Sequence, residues 1–142
     1  MGDLSANFSK SEFTCHCGCG LMNMKPEAIV AFQAVRDILG MPMTVLSGTR
    51  CPKHNHACGG AKASQHMLGE AGDFRCADLG KLYEAALKVS AIHGIGIYLR
   101  PGGWIHLDVR ALHEGQHAAR WAEDGLKRAM PFDAAVKVLL GK

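Results

Sequence analysis

Gly94-Ile-Gly-Ile-Tyr-Leu-Arg-Pro-Gly-Gly-Trp-Ile-His-Leu-Asp-Val109 decides the fold class. Two short runs, Gly94–Leu99 and Trp104–Val109, flank the turn-rich link Arg100-Pro-Gly-Gly. That pattern predicts a β-hairpin. Strand side chains alternate, so Trp104, His106 and Asp108 share one face and Ile105, Leu107 and Val109 share the other. The second set is a core face. The first puts an imidazole beside a carboxylate, under an aromatic ring. Burying both without partners costs about 2–7 kcal/mol per polar group. That face is therefore either solvated or the lining of a polar site.

A second polar set lies upstream, in Ser64-Gln-His-Met-Leu-Gly-Glu-Ala-Gly-Asp73. His66 and Asp73 would share one face of an unbroken helix, but Gly69 and Gly72 argue against one. A turn handing over to a strand also brings the two together, with the glycines allowing close backbone approach. His66, Asp73 and His106 then make a two-histidine, one-carboxylate set. This is the composition of a catalytic zinc site, with three protein ligands and one open position. Zinc lowers the pKa of a bound water to about 7.

The remaining elements are read outward from these two stretches. Ser9 and Glu12 form a capping box for a short first helix. Pro26 opens a helix to about Leu39, closed by Gly40, with Ile29, Phe32, Val35, Ile38 and Leu39 as its apolar stripe. Met43–Ser47 and Glu70–Cys76 read as strands. Pro52 starts a short helical turn ended by Gly59-Gly60, and Ser64 caps another that ends at Gly69. Asp78 caps a helix to about Ile92, with Leu79, Leu82, Ala86 and Val89 on one face. The tail from Leu112 onward reads as helical, broken or restarted at Pro131. Helices and strands do not alternate strictly, and one connection is a hairpin. The expected class is α+β, a small antiparallel sheet flanked by helices with a zinc site at the sheet face.

Composition narrows the function classes. The 142 residues, 48% hydrophobic and 20% charged, predict one globular domain over residues 1–142. A formal net charge of +3 is too small to imply nucleic-acid binding. No apolar run is long enough to span a bilayer. Met1-Gly-Asp-Leu-Ser lacks the basic and apolar regions of a secretory signal, so synthesis in the cytoplasm is expected. Eight histidines and six cysteines supply many metal-capable side chains, and the thiols are expected to be reduced, buried or metal-bound.

Ser64-x-His66-x-x-Gly69-x-Ala71-x-Asp73 followed by Trp104-Ile-His106-Leu-Asp108 resembles the zinc D-alanyl-D-alanine carboxypeptidase family, which also holds L,D-endopeptidases of phage lysis enzymes. Asn7-Phe-Ser-x-x-Glu12-Phe, Cys17-Gly-Cys, Ser47-Gly-x-Arg50-Cys-Pro, His54-Asn55 and Gly59-Gly60 are similar to its small single-domain branch. Arg110 and Arg120-Trp121 resemble its closing segment. The resemblance implies that His66, Asp73 and His106 are zinc ligands and that Arg50 polarises the scissile carbonyl or holds substrate. It implies hydrolysis of peptide bonds next to D-amino acids in peptidoglycan stem peptides, by release from a phage-infected cell or by action at the cell wall. One position departs from the pattern. Better-known members carry an acidic residue three positions before the last histidine, and here Gly103 stands there. Asp108 either replaces it as general base or orients His106 and pairs with an arginine; Glu70 is a further candidate. If the base is lost, the chain is instead a non-catalytic, zinc-containing module that binds peptides or the cell wall.

Other residues carry weaker signals. His54-Asn-His56 spells a nuclease motif, but its compact spacing and the low charge favour a polar rim helix, with Asn55 bracing the loop around Arg50. Cys15, Cys17 and Cys19 offer a structural zinc site, a disulfide or buried thiols, with a fourth metal ligand from Cys51, Cys58, Cys76 or a histidine. Their single-residue spacing is off the usual structural-zinc pattern. His93, His113 and His117 read as surface or rim residues, the last two close together on a helix. Trp121 and Phe132 read as core.

Overall fold

The computed structural model describes residues 2–60, 64–112 and 116–141. The hairpin forms as expected: β3 (Gly94–Tyr98) pairs antiparallel with β4 (Trp104–Asp108), Gly96 opposite His106. β2 (Ala71–Arg75) flanks β4 on its other side, with Asp73 opposite His106. β1 (Thr44–Ser47) pairs with β2 through an irregularity between Val45 and Ser47 that sets Ser47 opposite Asp73. β5 (Ala119–Glu123) lies parallel to β3, and β6 (Ala129–Met130) closes the edge. The six strands run in the order β1-β2-β4-β3-β5-β6, so the class is α+β with a mostly antiparallel sheet.

Five α-helices join the sheet among the described residues: α1 (Lys10–Phe13), α2 (Pro26–Leu39), α3 (Pro52–Ala57), α4 (Leu79–Leu87) and α5 (Phe132–Leu140). Their ends follow from side chains. Ser9 N donates to Glu12 Oε1 at 2.8 Å before α1, and Lys81 N donates to Asp78 Oδ1 at 3.1 Å at the start of α4. Pro26 costs α2 no hydrogen bond, because a first-turn N–H has no intrahelical partner. No helix among the described residues is long and apolar enough to cross a membrane.

The core sits on one face of the sheet. Phe8, Phe13, Phe32 and Phe74 pack as a ring cluster, Phe32 and Phe74 meeting edge-on at 4.9 Å. Ile95, Ile105 and Leu107 point to the same side, against α2 and α4. Ile97 and Ala122 continue that face under Ala135 of α5. The alternation expected of β4 therefore holds, and His106 faces away from the helices.

Three expectations are corrected. Among the described residues the tail is not helical before Pro131: residues 119–123 join the sheet as β5, because parallel pairing with β3 and burial of Ala122 outweigh the helix propensity of an alanine-rich segment. The paired placement of His113 and His117 involves a residue outside the described ones. α4 ends at Leu87 rather than near Ile92, where the β-branched and hydroxyl residues Val89 and Ser90 replace good helix formers. Ile38 is 45% exposed, off the buried arc of Ala28, Ile29, Ala31, Phe32, Val35 and Leu39. Phe32 and Phe74 hold helix to sheet, so Phe74→Ala is expected to lower the unfolding free energy by about 3–5 kcal/mol. A shifted denaturant midpoint at unchanged slope reads this directly.

Candidate metal centre

The sheet register builds the site. Ser47, Asp73, His106, Gly96 and Trp121 form one row across five strands. His66 enters from above that row on a 3₁₀ turn, Gln65–Leu68, that leads into β2. Ser64 Oγ accepts from His66 N at 3.2 Å and starts this turn, as its sequence position predicts. His66, Asp73 and His106 are all buried, and their ligand atoms lie within 4.8 Å of one another.

Hydrogen bonding settles which nitrogen each histidine presents. Gly48 O can only accept, so His66 Nδ1 donates to it at 2.7 Å. The lone pair of His66 Nε2 then faces Asp73 Oδ1 at 3.2 Å. His106 Nε2 donates to Asp108 Oδ2 at 2.8 Å, so the lone pair of its Nδ1 also faces Asp73 Oδ1, at 3.0 Å. Two neutral imidazoles thus aim lone pairs at one carboxylate oxygen, an arrangement that only protons or a cation can relieve. Three donors about 2.0–2.1 Å from a tetrahedral ion stand about 3.3 Å apart, close to this spacing. The residues fit a metal ion.

The ionisation equilibria express the same conflict. Burial pulls the His106 pKa down, but the bonds to Asp108 and Asp73 outweigh it and raise it above the usual imidazole value. Burial opposes ionisation of Asp73, yet protons on the imidazoles, through the charge of a protonated His66 and a bond donated by a protonated His106, hold its carboxyl well below the carboxylate range. Asp73 is split between two tasks, since its Oδ2 accepts from Arg50 Nη2 at 3.2 Å. Arg50 Nη1 also donates to Asn55 Oδ1 at 3.4 Å.

Asp108 lies behind His106 and is 0% exposed. Arg110 clamps it, Nε to Oδ1 at 2.9 Å and Nη2 to Oδ2 at 2.7 Å. Burial disfavours its charge, but the bonds from His106 and Arg110 keep it ionised well below the usual range. Glu70 is paired with Lys25 at 2.7 Å, apart from the histidines. His93, half-buried, donates from Nδ1 to Arg110 O at 2.6 Å and is not among the residues that line the cavity.

A cavity of about 600 Å³ opens over the set. Its wall includes Arg50, Gln65, Tyr98, Arg100, Trp104 and Glu123. Trp121 lines it too, which corrects its expected core role: the indole packs 4.9 Å from the His106 ring and donates from Nε1 to Tyr98 Oη at 2.8 Å. A Cβ at Gly96 would collide with that indole, and one at Gly94 with the Asp108 carboxyl. Alternating glycines in a strand signal such close approach, so the sequence did carry a pointer to Trp121. Phe132, in contrast, packs on the core beside Tyr83 as expected. Burial, then the charges of Asp73 and Glu123, push the Tyr98 hydroxyl above its usual pKa, so it keeps its proton at neutral pH. At Gly103 a Cβ would stand 2.7 Å from Tyr98 O, so this turn has no room for an acidic side chain.

No curated protein matches this sequence. The peptidase M15 family model does match, over residues 6–108, from the first helix through the strand that carries His106 and Asp108. That span is more than two thirds of the chain and contains all three members of the buried His–Asp–His group, and on it the chain belongs to the peptidase M15 family of metallopeptidases.

Proposed function

We propose that the chain is a zinc-dependent peptidase that hydrolyses peptide bonds next to D-amino acids in peptidoglycan stem peptides. The observation that carries this reading is the pair of imidazole lone pairs meeting Asp73 Oδ1 beside an open cavity. Two nitrogens and one carboxylate oxygen suit zinc. An ion held there supplies Lewis acidity, polarising a carbonyl and acidifying water. The cavity wall supports the substrate class. Arg50, Arg100 and Arg110 line it, each facing a carboxylate of the protein (Asp73, Glu123 and Asp108), and guanidinium forks of this kind also pair with the carboxylates that stem peptides carry. Gln65 Oε1 and Arg100 Nε are buried in that wall with no hydrogen-bond partner among the described residues. Each unpaired group costs about 1–3 kcal/mol. An extended peptide supplies the N–H and the carbonyl that would satisfy them.

The residues divide the work as follows. Arg50 stays charged at any working pH and stabilises charge developing on the carbonyl oxygen. The Tyr98 hydroxyl accepts from Trp121, so its own proton is free to donate to the same oxygen. Glu123 takes the proton from the attacking water: it and Asp73 are the carboxylates of the wall among the described residues, Asp73 bonds Arg50 at 3.2 Å and faces both imidazoles, and the ion pair of Glu123 with Arg100 is long, at 3.9 Å. Asp108 holds the His106 tautomer from behind and does not reach the cavity.

The test is incubation of the zinc-loaded chain with isolated stem peptides, with fragments identified by mass. His66→Ala and Asp73→Ala are expected to lose bound metal and cleavage together. Arg50→Ala and Tyr98→Phe lower kcat by about 10²–10³-fold while metal is retained. Glu123→Gln lowers kcat by about 10²–10⁴-fold with metal still bound. Asp108→Ala weakens metal affinity by about 10–100-fold in chelator competition. Zinc and stem-peptide binding without any cleaved bond overturns the peptidase reading in favour of the binding module that Gly103 raises.

A further inference from the structure

Four of the six cysteines gather at Cys51, next in the chain to Arg50. The Sγ atoms of Cys15, Cys17, Cys19 and Cys51 all lie within 4.8 Å of one another. Cys15 and Cys17 stand 3.5 Å apart, as do Cys17 and Cys51. Cys58 and Cys76 are engaged elsewhere, with His54 Nε2 at 3.5 Å and Asp78 O at 3.1 Å. Of the possible fourth members that the sequence leaves open, the fold brings Cys51.

These distances separate the available chemistries. A disulfide needs sulfurs about 2.05 Å apart and pairs them two by two. Four sulfurs about 2.3 Å from a central tetrahedral ion stand about 3.8 Å from one another. All six Sγ–Sγ separations lie within the 4.8 Å limit, and the two shortest are close to that edge length. Backbone N–H groups also point at sulfur, Cys51 N to Cys15 Sγ and His54 N to Cys51 Sγ, each at 3.4 Å. Such donors stabilise thiolate rather than thiol.

The local backbone explains how a one-residue spacing serves this. Gly18 and Gly20 have φ of +90° and +78°, conformations that side-chain-bearing residues rarely adopt. The loop they fold is closed by Cys15 N donating to Leu21 O at 2.8 Å, and its three sulfurs converge, that of buried Cys15 with those of exposed Cys17 and Cys19. Cys51 arrives at the N-cap of α3, next in the chain to Arg50.

We propose that Cys15, Cys17, Cys19 and Cys51 bind a second zinc ion as a closed, four-thiolate structural site that clamps the N-terminal loop to the start of α3. Soft thiolates select zinc over magnesium or calcium, and four protein ligands leave no open position for substrate. The site fixes the backbone from which Arg50 reaches the His–Asp–His group. It stands independently of what the cavity cleaves.

The experiment is metal analysis of the full chain, purified with reductant and without chelator, joined to cobalt substitution. About two zinc ions per chain are expected. Cys17→Ser with Cys19→Ser removes one and His66→Ala with His106→Ala removes the other. The cobalt form of the wild type, and of the histidine variant, shows intense thiolate-to-cobalt charge transfer, a signature that needs no folded cysteine variant. One zinc per chain that is lost with the histidines overturns the proposal. So does a cobalt spectrum without thiolate bands, or an intact mass lowered by the hydrogens of a disulfide.

Discussion

The Asp73 carboxylate is the group on which the rest of the site depends. It is 7% exposed, and a buried charge must be matched on every side or it destabilises the fold. Oδ1 faces two imidazoles and Oδ2 faces Arg50, so each oxygen has a cationic or metal-capable partner. Asp108 repeats the arrangement one step back, between His106 and Arg110. The two carboxylates and two guanidiniums balance. The charge of an ion joining the histidines is then not cancelled by surplus acid, and its Lewis acidity stays available to a substrate.

That balance requires close approach, and the sheet provides it through what it omits. Gly94 and Gly96 lie opposite Asp108 and His106, and any side chain there would displace the Asp108 carboxyl or the Trp121 indole. Glycine weakens a strand interior by roughly 0.5–1 kcal/mol relative to alanine. Here that loss is offset on the opposite face, where Ile95 and Ile97 are fully buried. The two halves of one alternating pattern therefore do different work. The isoleucines hold the strand, and the glycines give the site its depth.

The same pattern decides what could be read in advance. The hairpin and the turn before β2 rest on local signals: alternation, a serine cap and glycine stops. That His106 joins His66 and Asp73 is implied by the family resemblance, since it depends on the pairing of β2 with β4. The parallel pairing of β5 has no local signal, because its partner lies across a long connection and Ala119-Arg-Trp-Ala-Glu123 reads as well for helix as for strand. Missing β5 means missing Trp121 and Glu123 as cavity residues. Cys51 was one of several possible companions to Cys15, Cys17 and Cys19, because only the tertiary fold ranks distances between residues so far apart in the chain.

Residues 48–51 show how these parts are coupled. Gly48 O sets the tautomer of His66, Arg50 bonds Asp73, and Cys51 joins the sulfur cluster. Thr49 N donates to Phe13 O at 2.9 Å, and Arg50 N donates to His66 O at 3.2 Å. Thr49 is 1% exposed, and its hydroxyl donates to Asn23 Oδ1 at 3.0 Å. Four consecutive residues thus touch the N-terminal loop, the turn of His66, the carboxylate of Asp73 and the start of α3. A shift of this segment cannot move Arg50 alone. It would also rotate His66 and separate the sulfurs, so whatever braces the N-terminal loop also sets the geometry at which the two imidazoles and Asp73 meet.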